Sequence, residues 1–453
     1  MESESPHRER RPFRPLSVVA LFDIALALVA SKLRHADVAV QQAFRRHRGL
    51  GSKDRGFVAD LAWTFVRQLD RVALALSVAR GNLASPDATD PRWLNPRDAK
   101  PAVAIFLANE PLNANDQHGP TLLDDALARE PRFEAALPLP ARNMRGPWRA
   151  VRAFVEAQRG DDHLAIELGY PVEFVRLLVA DLGVDAARNA LAAMNTRAPM
   201  TIRVNTLKAN LAAARDALRA ERIETKGRPE TENALVITTR TNLYALNAFK
   251  HGLIEAQDEG SQRVAALVEA QPGESILDAC AGAGGKTLAL AAAMENRGRL
   301  VAVDASRERL AECERRATRA GATIVKTERV RPGAPWPETR VPTDFDAALV
   351  DAPCTGSGTL RRNPEMRWHL TGDWLTRFPA QQRAILDEAA RHVRPGGRLI
   401  YATCSLLRCE NEAVATDFSA DSQGAWTLDH TMRIDPATGA SDGFFAARLC
   451  IRK

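Results

Sequence analysis

Apolar and polar positions alternate with a helical period through residues 15–80. Leu16, Val19, Phe22, Leu26 and Val29 recur three or four apart, which predicts one apolar face of an amphipathic helix. Two further stretches, DVAVQQAFRRHR and DRGFVADLAWTFVRQLDRVALALSVAR, repeat that period, with Asp54 placed to cap the second. Prolines at 86, 91, 96, 101, 111, 120, 131, 138, 140 and 147 then break the pattern, so residues 81–150 predict only short helices between loops. Helical periodicity returns in PVEFVRLLVADLG and DAARNALAAMNT. Beyond residue 196 the period changes. APMTIRVNTLK and ALVITTR read as strands flanking the helical NLAAARDALRAER. From about 265 strands and helices alternate regularly: ESILDAC, KTLALAAAM, RLVAVDA, RERLAECERRATRAG, FDAALVDAP, PAQQRAILDEAARHV and GRLIYATCS. This order predicts an α/β fold with a doubly wound, mostly parallel sheet and its ligands at the strands' C-terminal ends.

Composition adjusts this picture slightly. The chain has 453 residues, 45% hydrophobic and 26% charged, which excludes wholesale disorder. Its 62 basic against 56 acidic residues give a net charge of +6, weak support for a nucleic-acid partner. Residues 1–14, charged and holding two prolines, predict a frayed tail. Arg10, Arg11 and Arg14 before VVALFDIALALVA imitate a signal peptide, but Asp23 interrupts the run and 13 residues cannot span a bilayer. The six cysteines all lie in the last 180 residues without zinc-site spacing, so a cytoplasmic protein with no metal and no membrane partner is expected.

Three motifs carry chemistry. In LDACAGAGGKT (277–287) an apolar strand ends at Asp278, and a glycine loop opens into a helix at Lys286, so that backbone can approach a ligand closely. A nucleoside-triphosphate P-loop would need glycine where Cys280 stands. Asp304, 20 residues after Gly284, occupies the place of the acid that binds ribose hydroxyls in doubly wound nucleotide sites; a dinucleotide and S-adenosylmethionine satisfy that spacing equally. LVDAPCTGSG (349–358) and YATCS (401–405) then bring Cys354 and Cys404 to the ends of successive strands. Two thiols beside a methyl-donor pocket suit methylation of carbon 5 of cytosine. Thiolate attack at carbon 6 makes carbon 5 nucleophilic, a carboxylate at the N3/N4 edge stabilises the electron shift, and a second thiol helps expel the enzyme.

At these residues the chain resembles the Nop/Sun family of RNA (cytosine-5) methyltransferases, and within it the bacterial enzymes that act on 16S ribosomal RNA. The resemblance covers about residues 165–453, through LGYPVEFV, AMNTRAPMTIRVNTLK, DEGSQ, LDACAGAGGKT, VAVDAS, LVDAPCTGSGTLRRNPEMRW, PGGRLIYATCSLLRCENE and DGFFAARL. It implies a class I Rossmann-like methyltransferase domain over 256–453. An all-α NusB-like RNA-binding domain over 15–160 and a small α+β subdomain over 161–255 would precede it, in a monomer. The resemblance makes Cys404 the nucleophile and Cys354 its aid in release, where the Pro-Cys motif alone would favour Cys354. Cys280, Ala281, Gly282, Ala283, Gly284, Gly285 and Lys286 would wrap the methionine part of S-adenosylmethionine, Asp304 would hold the ribose, and Asp351 would border donor and target base. Arg203, Asn205, Arg361 and Arg362 would contact RNA, with Arg367 beside them, whereas Trp368 reads as core.

Two departures stand out. Ala283 replaces the loop's usual proline, and no Asp follows the third strand to meet the adenine amino group, leaving Glu328 as the substitute. The competing reading is a catalytically silent RNA-binding or ribosome-assembly factor on the same fold; the paired cysteines argue against it. The same chemistry on transfer RNA is the other alternative.

Overall fold

The computed structural model describes residues 15–451 apart from 83, 111–120, 130–133, 136, 141–142 and 440. The expected tail at 1–14 lies outside the described residues. The chain forms two compact units, one of residues 1–180 with 363–371, the other of residues 181–362 with 372–453.

The first unit is helical: α1 (Pro15–Ala30), α2 (Ala36–Arg46), α3 (Ser52–Arg67), α4 (Leu69–Ala79), α5 (Ala99–Asn109), α6 (Leu122–Arg129), α7 (Gly146–Ala157), α8 (Gly160–Leu168) and α9 (Val172–Leu182), in whose last turn it passes into the second. Three details differ from the sequence pattern. Helix α1 packs against α2, α3 and α5, so Val18, Leu21, Ile24, Ala25 and Leu28 are buried with Phe22 and Val29, while Leu26 is exposed. A helix inside a bundle is apolar nearly all round, and a single-face reading misplaces its stripe. Asp54 lies in the first turn of α3 behind the cap residue Gly51, where a carboxylate still favours the helix N-terminus. The long run read as one helix is two, broken at Gln68.

The segment 363–371 belongs to this helical unit. Trp368 is 4% exposed in its core. Arg367 is fully buried, donates to the Gly169 carbonyl at 3.1 Å and lies 4.2 Å from the Tyr170 ring centroid.

The second unit begins with α10 (Val184–Met194) and a four-stranded antiparallel sheet of order β2-β3-β1-β4, made of β1 (Met200–Val204), β2 (Thr225–Gly227), β3 (Ala234–Ile237) and β4 (Ile254–Ala256), with α11 (Leu211–Ala220) and α12 (Asn247–Lys250) between strands. A seven-stranded sheet of order β10-β11-β9-β8-β5-β6-β7 follows. Its parallel strands are β5 (Ser275–Ala279), β6 (Arg299–Asp304), β7 (Val325–Arg329), β8 (Phe345–Asp351) and β9 (Val393–Thr403); β10 (Trp426–Ile434) and β11 (Phe444–Ile451) close the β9 side antiparallel. Helices α13 (Glu259–Ala266), α14 (Gly285–Ala293), α15 (Arg307–Ala320), α16 (Asp373–Ala390) and α17 (Glu412–Asp421) accompany the sheet, and two apolar clusters line it, one containing Leu277, Val303, Ala348 and Tyr401, the other Ile276, Leu300, Leu349 and Ile400. Successive residues of β5, β6, β8 and β9 thus point to opposite, equally covered faces, which is why these strands read as continuous apolar runs. The fold is the Rossmann-like α/β architecture expected. The order reverses beside β5, and the C-terminal ends of β5, β6 and β8 open together at that switch.

Candidate active site

The glycine loop after β5 turns sharply. Cys280, Gly282 and Gly284 take left-handed φ of 65°, 55° and 83°. A Cβ at Gly284 would stand 2.5 Å from Cys313 Sγ, so this glycine serves the close packing of α14 on α15. Its neighbours Cys280, Ala281, Gly282, Ala283, Gly285 and Lys286 line a cavity of about 930 Å³, together with Asp304, Asp351, Cys354 and Cys404. Gly284 is the one member of the predicted loop that does not face it. Ala283, in place of the usual proline, gives its carbonyl to Arg316 Nη1 at 2.9 Å.

Charge is concentrated at the centre. Asp304 accepts N–H bonds from Gly282 at 2.9 Å and Ser306 at 2.7 Å, which fixes its carboxylate at the end of β6. Lys286 Nζ meets Asp351 Oδ2 at 2.6 Å. Burial works to lower the Lys286 pKa, but the charge and hydrogen bond of Asp351 outweigh it and hold the ammonium above its ordinary range. Asp278 is fully buried, accepts from Thr287 Oγ1 at 2.6 Å through Oδ2 and has no partner for Oδ1 among the described residues. Burial, reinforced by nearby Asp351 and Asp304, pushes its carboxyl up to about 7. Burial also raises the Cys280 thiol well above its normal range.

Parallel pairing of β8 with β9 matches Asp351 to Ala402 and brings the loops beyond them side by side. Cys354 Sγ and Cys404 Sγ stand 3.4 Å apart. Gly358 makes the approach possible: its N–H donates to the Cys404 carbonyl at 2.8 Å, and a Cβ there would come within 2.3 Å of the Gly443 carbonyl oxygen. The hydrogen bond with Cys404, followed by burial, raises the Cys354 pKa well above the ordinary thiol value, so Cys354 stays protonated beside its neighbour.

One residue of this site escaped the motif reading. Glu410, fully buried, accepts from Thr355 N–H at 2.9 Å, Thr355 Oγ1 at 2.6 Å, Gln382 Nε2 at 3.2 Å and Ser405 Oγ. It therefore ties the residue after Cys354 to the residue after Cys404. The only trace in the sequence is its place in CENE, five residues beyond the strand-end Ser405.

Burial constrains the residues expected to contact RNA. Arg203 lies on β1, an inner strand, and donates Nε to Gln257 at 2.7 Å; burial pulls its pKa down to about 10. Asn205 donates Nδ2 to the carbonyls of Gly252 and Ala320, both at 2.8 Å. Arg361 is buried against Asp442 at 2.6 Å, and Arg362 spans Asp442 and Asp258, the latter at 2.6 Å. These side chains are engaged inside the second unit; Arg362 alone keeps a partly exposed side chain, and a phosphate would have to displace formed bonds. Glu328 does not line the cavity and faces Arg340 at 3.6 Å.

The family described as 16S rRNA methyltransferase RsmB/F matches residues 265–450, and the ferredoxin-like domain of RsmF/B-type methyltransferases matches residues 170–244. Among curated relatives, the probable ribosomal RNA small subunit methyltransferase B of Bacillus subtilis is 32% identical, the alignment covering 63% of this chain and 67% of the relative. The ribosomal RNA small subunit methyltransferase B of Vibrio cholerae is 30% identical, covering 70% and 74%. The chain belongs to the RsmB/F methyltransferase family. Solved structures extend the likeness in fold beyond the matched segments. The crystal structure of PH0851 superposes with a TM-score of 0.77 at 25% identity, covering 98% of this chain and all of that one. A methyltransferase homologue from Pyrococcus horikoshii gives a TM-score of 0.56 at 27% identity, covering 64% of this chain and 97% of its own. No helix among the described residues is long and apolar enough to cross a membrane.

Proposed function

We propose that this RsmB/F protein transfers a methyl group from S-adenosylmethionine to carbon 5 of a cytosine in 16S ribosomal RNA through a covalent bond between Cys404 and carbon 6. The observation that carries the reading is the pair of thiols 3.4 Å apart on the rim of a cavity lined by a glycine loop and a strand-end carboxylate. The cavity suits the donor: its volume lies in the range of small-molecule pockets, the loop's left-handed turns leave backbone exposed at Gly282 and Gly285, and a Cβ at Gly285 would meet nothing within 4 Å. Cys280–Lys286 would hold the methionine part and Asp304 the ribose.

The donor supplies an electrophilic methyl on a sulfonium. The remaining work falls to side chains of this chain. Cys404, as thiolate, forms the S–C6 bond, and the displaced electron pair makes carbon 5 an enamine nucleophile that takes the methyl. Asp351, held by Lys286, borders the N3/N4 edge of the base and stabilises that electron shift. Solvent water takes the C5 proton, its electron pair re-forms the C5–C6 double bond, and the S–C6 bond breaks to return the Cys404 thiolate, which Cys354, kept protonated at 3.4 Å, stabilises by a hydrogen bond from its S–H. The base must leave any stack to expose both faces.

The test is methylation of unmodified 16S ribosomal RNA by the purified protein with S-adenosylmethionine, read by nucleoside mass spectrometry. Wild type is expected to produce 5-methylcytosine, and Cys404→Ser to produce at least about 1,000-fold less while binding the donor as wild type does. Methylation by Cys404→Ser at the wild-type rate, or methyl transfer to transfer RNA in place of 16S ribosomal RNA, would contradict the proposal.

A further inference from the structure

We propose that Glu388 on α16 recognises the amino edge of the donor's adenine, in place of the strand-end acid that this chain lacks. The inference rests on the S-adenosylmethionine reading of the cavity. An exocyclic amino group buried in a pocket needs an acceptor, since leaving it unpaired costs about 1–3 kcal/mol. The end of β7 does not provide one. Glu328 is turned to Arg340, and Arg329, the register partner of Asp304, spends its Nε on the Ala305 carbonyl at 3.1 Å.

Three carboxylates line the cavity: Asp304, Asp351 and Glu388. Asp304 is fixed by two backbone N–H groups at the end of β6, and Asp351 is bound to Lys286 beside the thiols. Glu388 is the third, and it takes no part in holding the ribose or in the thiol chemistry. Its side chain is 15% exposed, and its Oε1 accepts the Trp336 N–H at 2.6 Å. Its Oε2 lies 3.4 Å from Nη1 of Arg391, whose side chain is largely exposed, so a further lone pair remains for a ligand.

The surroundings are built to hold this carboxylate still. Trp336 stacks on His392 with centroids 5.4 Å apart and planes 28° apart, and His392 Nδ1 meets the Pro342 carbonyl at 2.9 Å. The segment after β7 is thereby clamped to α16 and the residues just beyond it. Val330, Pro335 and Ile385 add apolar cavity surface for the faces of a purine. A flat apolar slot with one fixed acceptor is what selection of an aminopurine requires.

Equilibrium binding of the full-length protein to S-adenosylhomocysteine and to its inosine counterpart, in which a carbonyl replaces the amino group, tests this. Wild type is expected to favour the adenine compound at least about tenfold. Glu388→Gln keeps an acceptor for the Trp336 N–H and turns an amide N–H₂ toward the base, so it should lose or reverse that preference; Glu388→Ala should lose it, and Glu328→Gln should keep it. A wild-type preference retained in both Glu388 variants, or abolished in Glu328→Gln, overturns the assignment while leaving the donor reading intact. A wild type that binds neither compound overturns the donor reading and this inference with it.

Discussion

The rim at the ends of β8 and β9 and the rim at the end of β7 belong to one sheet but are constructed differently. At the ends of β8 and β9 polar side chains interlock: Thr355, Ser357, Ser405, Gln382 and Tyr401 converge on Glu410 and its carbonyl, directly or through one another. Beyond β7 the wall is a loop, Val330–Trp336, fixed to α16 through the Glu388 carboxylate and to His392 just past that helix through a stacked ring. The contrast follows from what each rim would have to do. Two thiols must meet a carbon atom with near-attack geometry, where misplacement by 1 Å costs about 100-fold. A purine slot needs only a flat wall and an acceptor, so its residues can be exchanged more freely.

That difference can be broken in stages. Loss of the nucleophile in Cys404→Ser is the largest expected effect. Glu410→Ala comes next. It strips acceptors from several buried donors at once, so we expect a loss of about 3 kcal/mol in stability and about 100-fold in methylation rate, measured by denaturant unfolding and by initial rates. An unchanged rate would mean that the thiol loops are held by something else. At the β7 rim, Glu388→Gln should move the base preference about tenfold and leave unfolding close to wild type.

Read per pH unit, the smallest effect concerns Asp278, beneath both rims. Its carboxyl is raised to about 7 against an ordinary 3.8, so the folded state binds a proton that the unfolded chain has released. The stabilisation is full below pH 3.8 and is lost as pH rises through 7, by at most about 1.4 kcal/mol per pH unit within that window. Asp278→Asn should flatten the slope of stability against pH between 4 and 7; a slope unchanged from wild type would assign the pH dependence to other groups.

The two rims were also unequally legible in the sequence. Strand-end cysteines, the glycine loop and Asp304 follow from local pattern, because a short apolar run ending in a polar motif fixes both the strand and its rim. Glu410 and Glu388 depend on tertiary contacts: Glu410 meets Thr355 across 55 positions and Glu388 meets Trp336 across 52. The partners of the arginines are hidden from local pattern for the same reason. A sequence shows the charge of Arg361 but not Asp442, 81 positions away, which neutralises it. The pairing of β1 on both sides, which buries Arg203, is likewise not visible in RVN alone.

The division of labour between the two thiols is the centre of this account, and a trapped adduct tests it most directly. Cys354→Ala, incubated with S-adenosylmethionine and unmodified 16S ribosomal RNA, then denatured, digested and analysed by mass spectrometry, should accumulate protein covalently joined to RNA through Cys404. An adduct at any other residue, or normal turnover without an adduct, would contradict it.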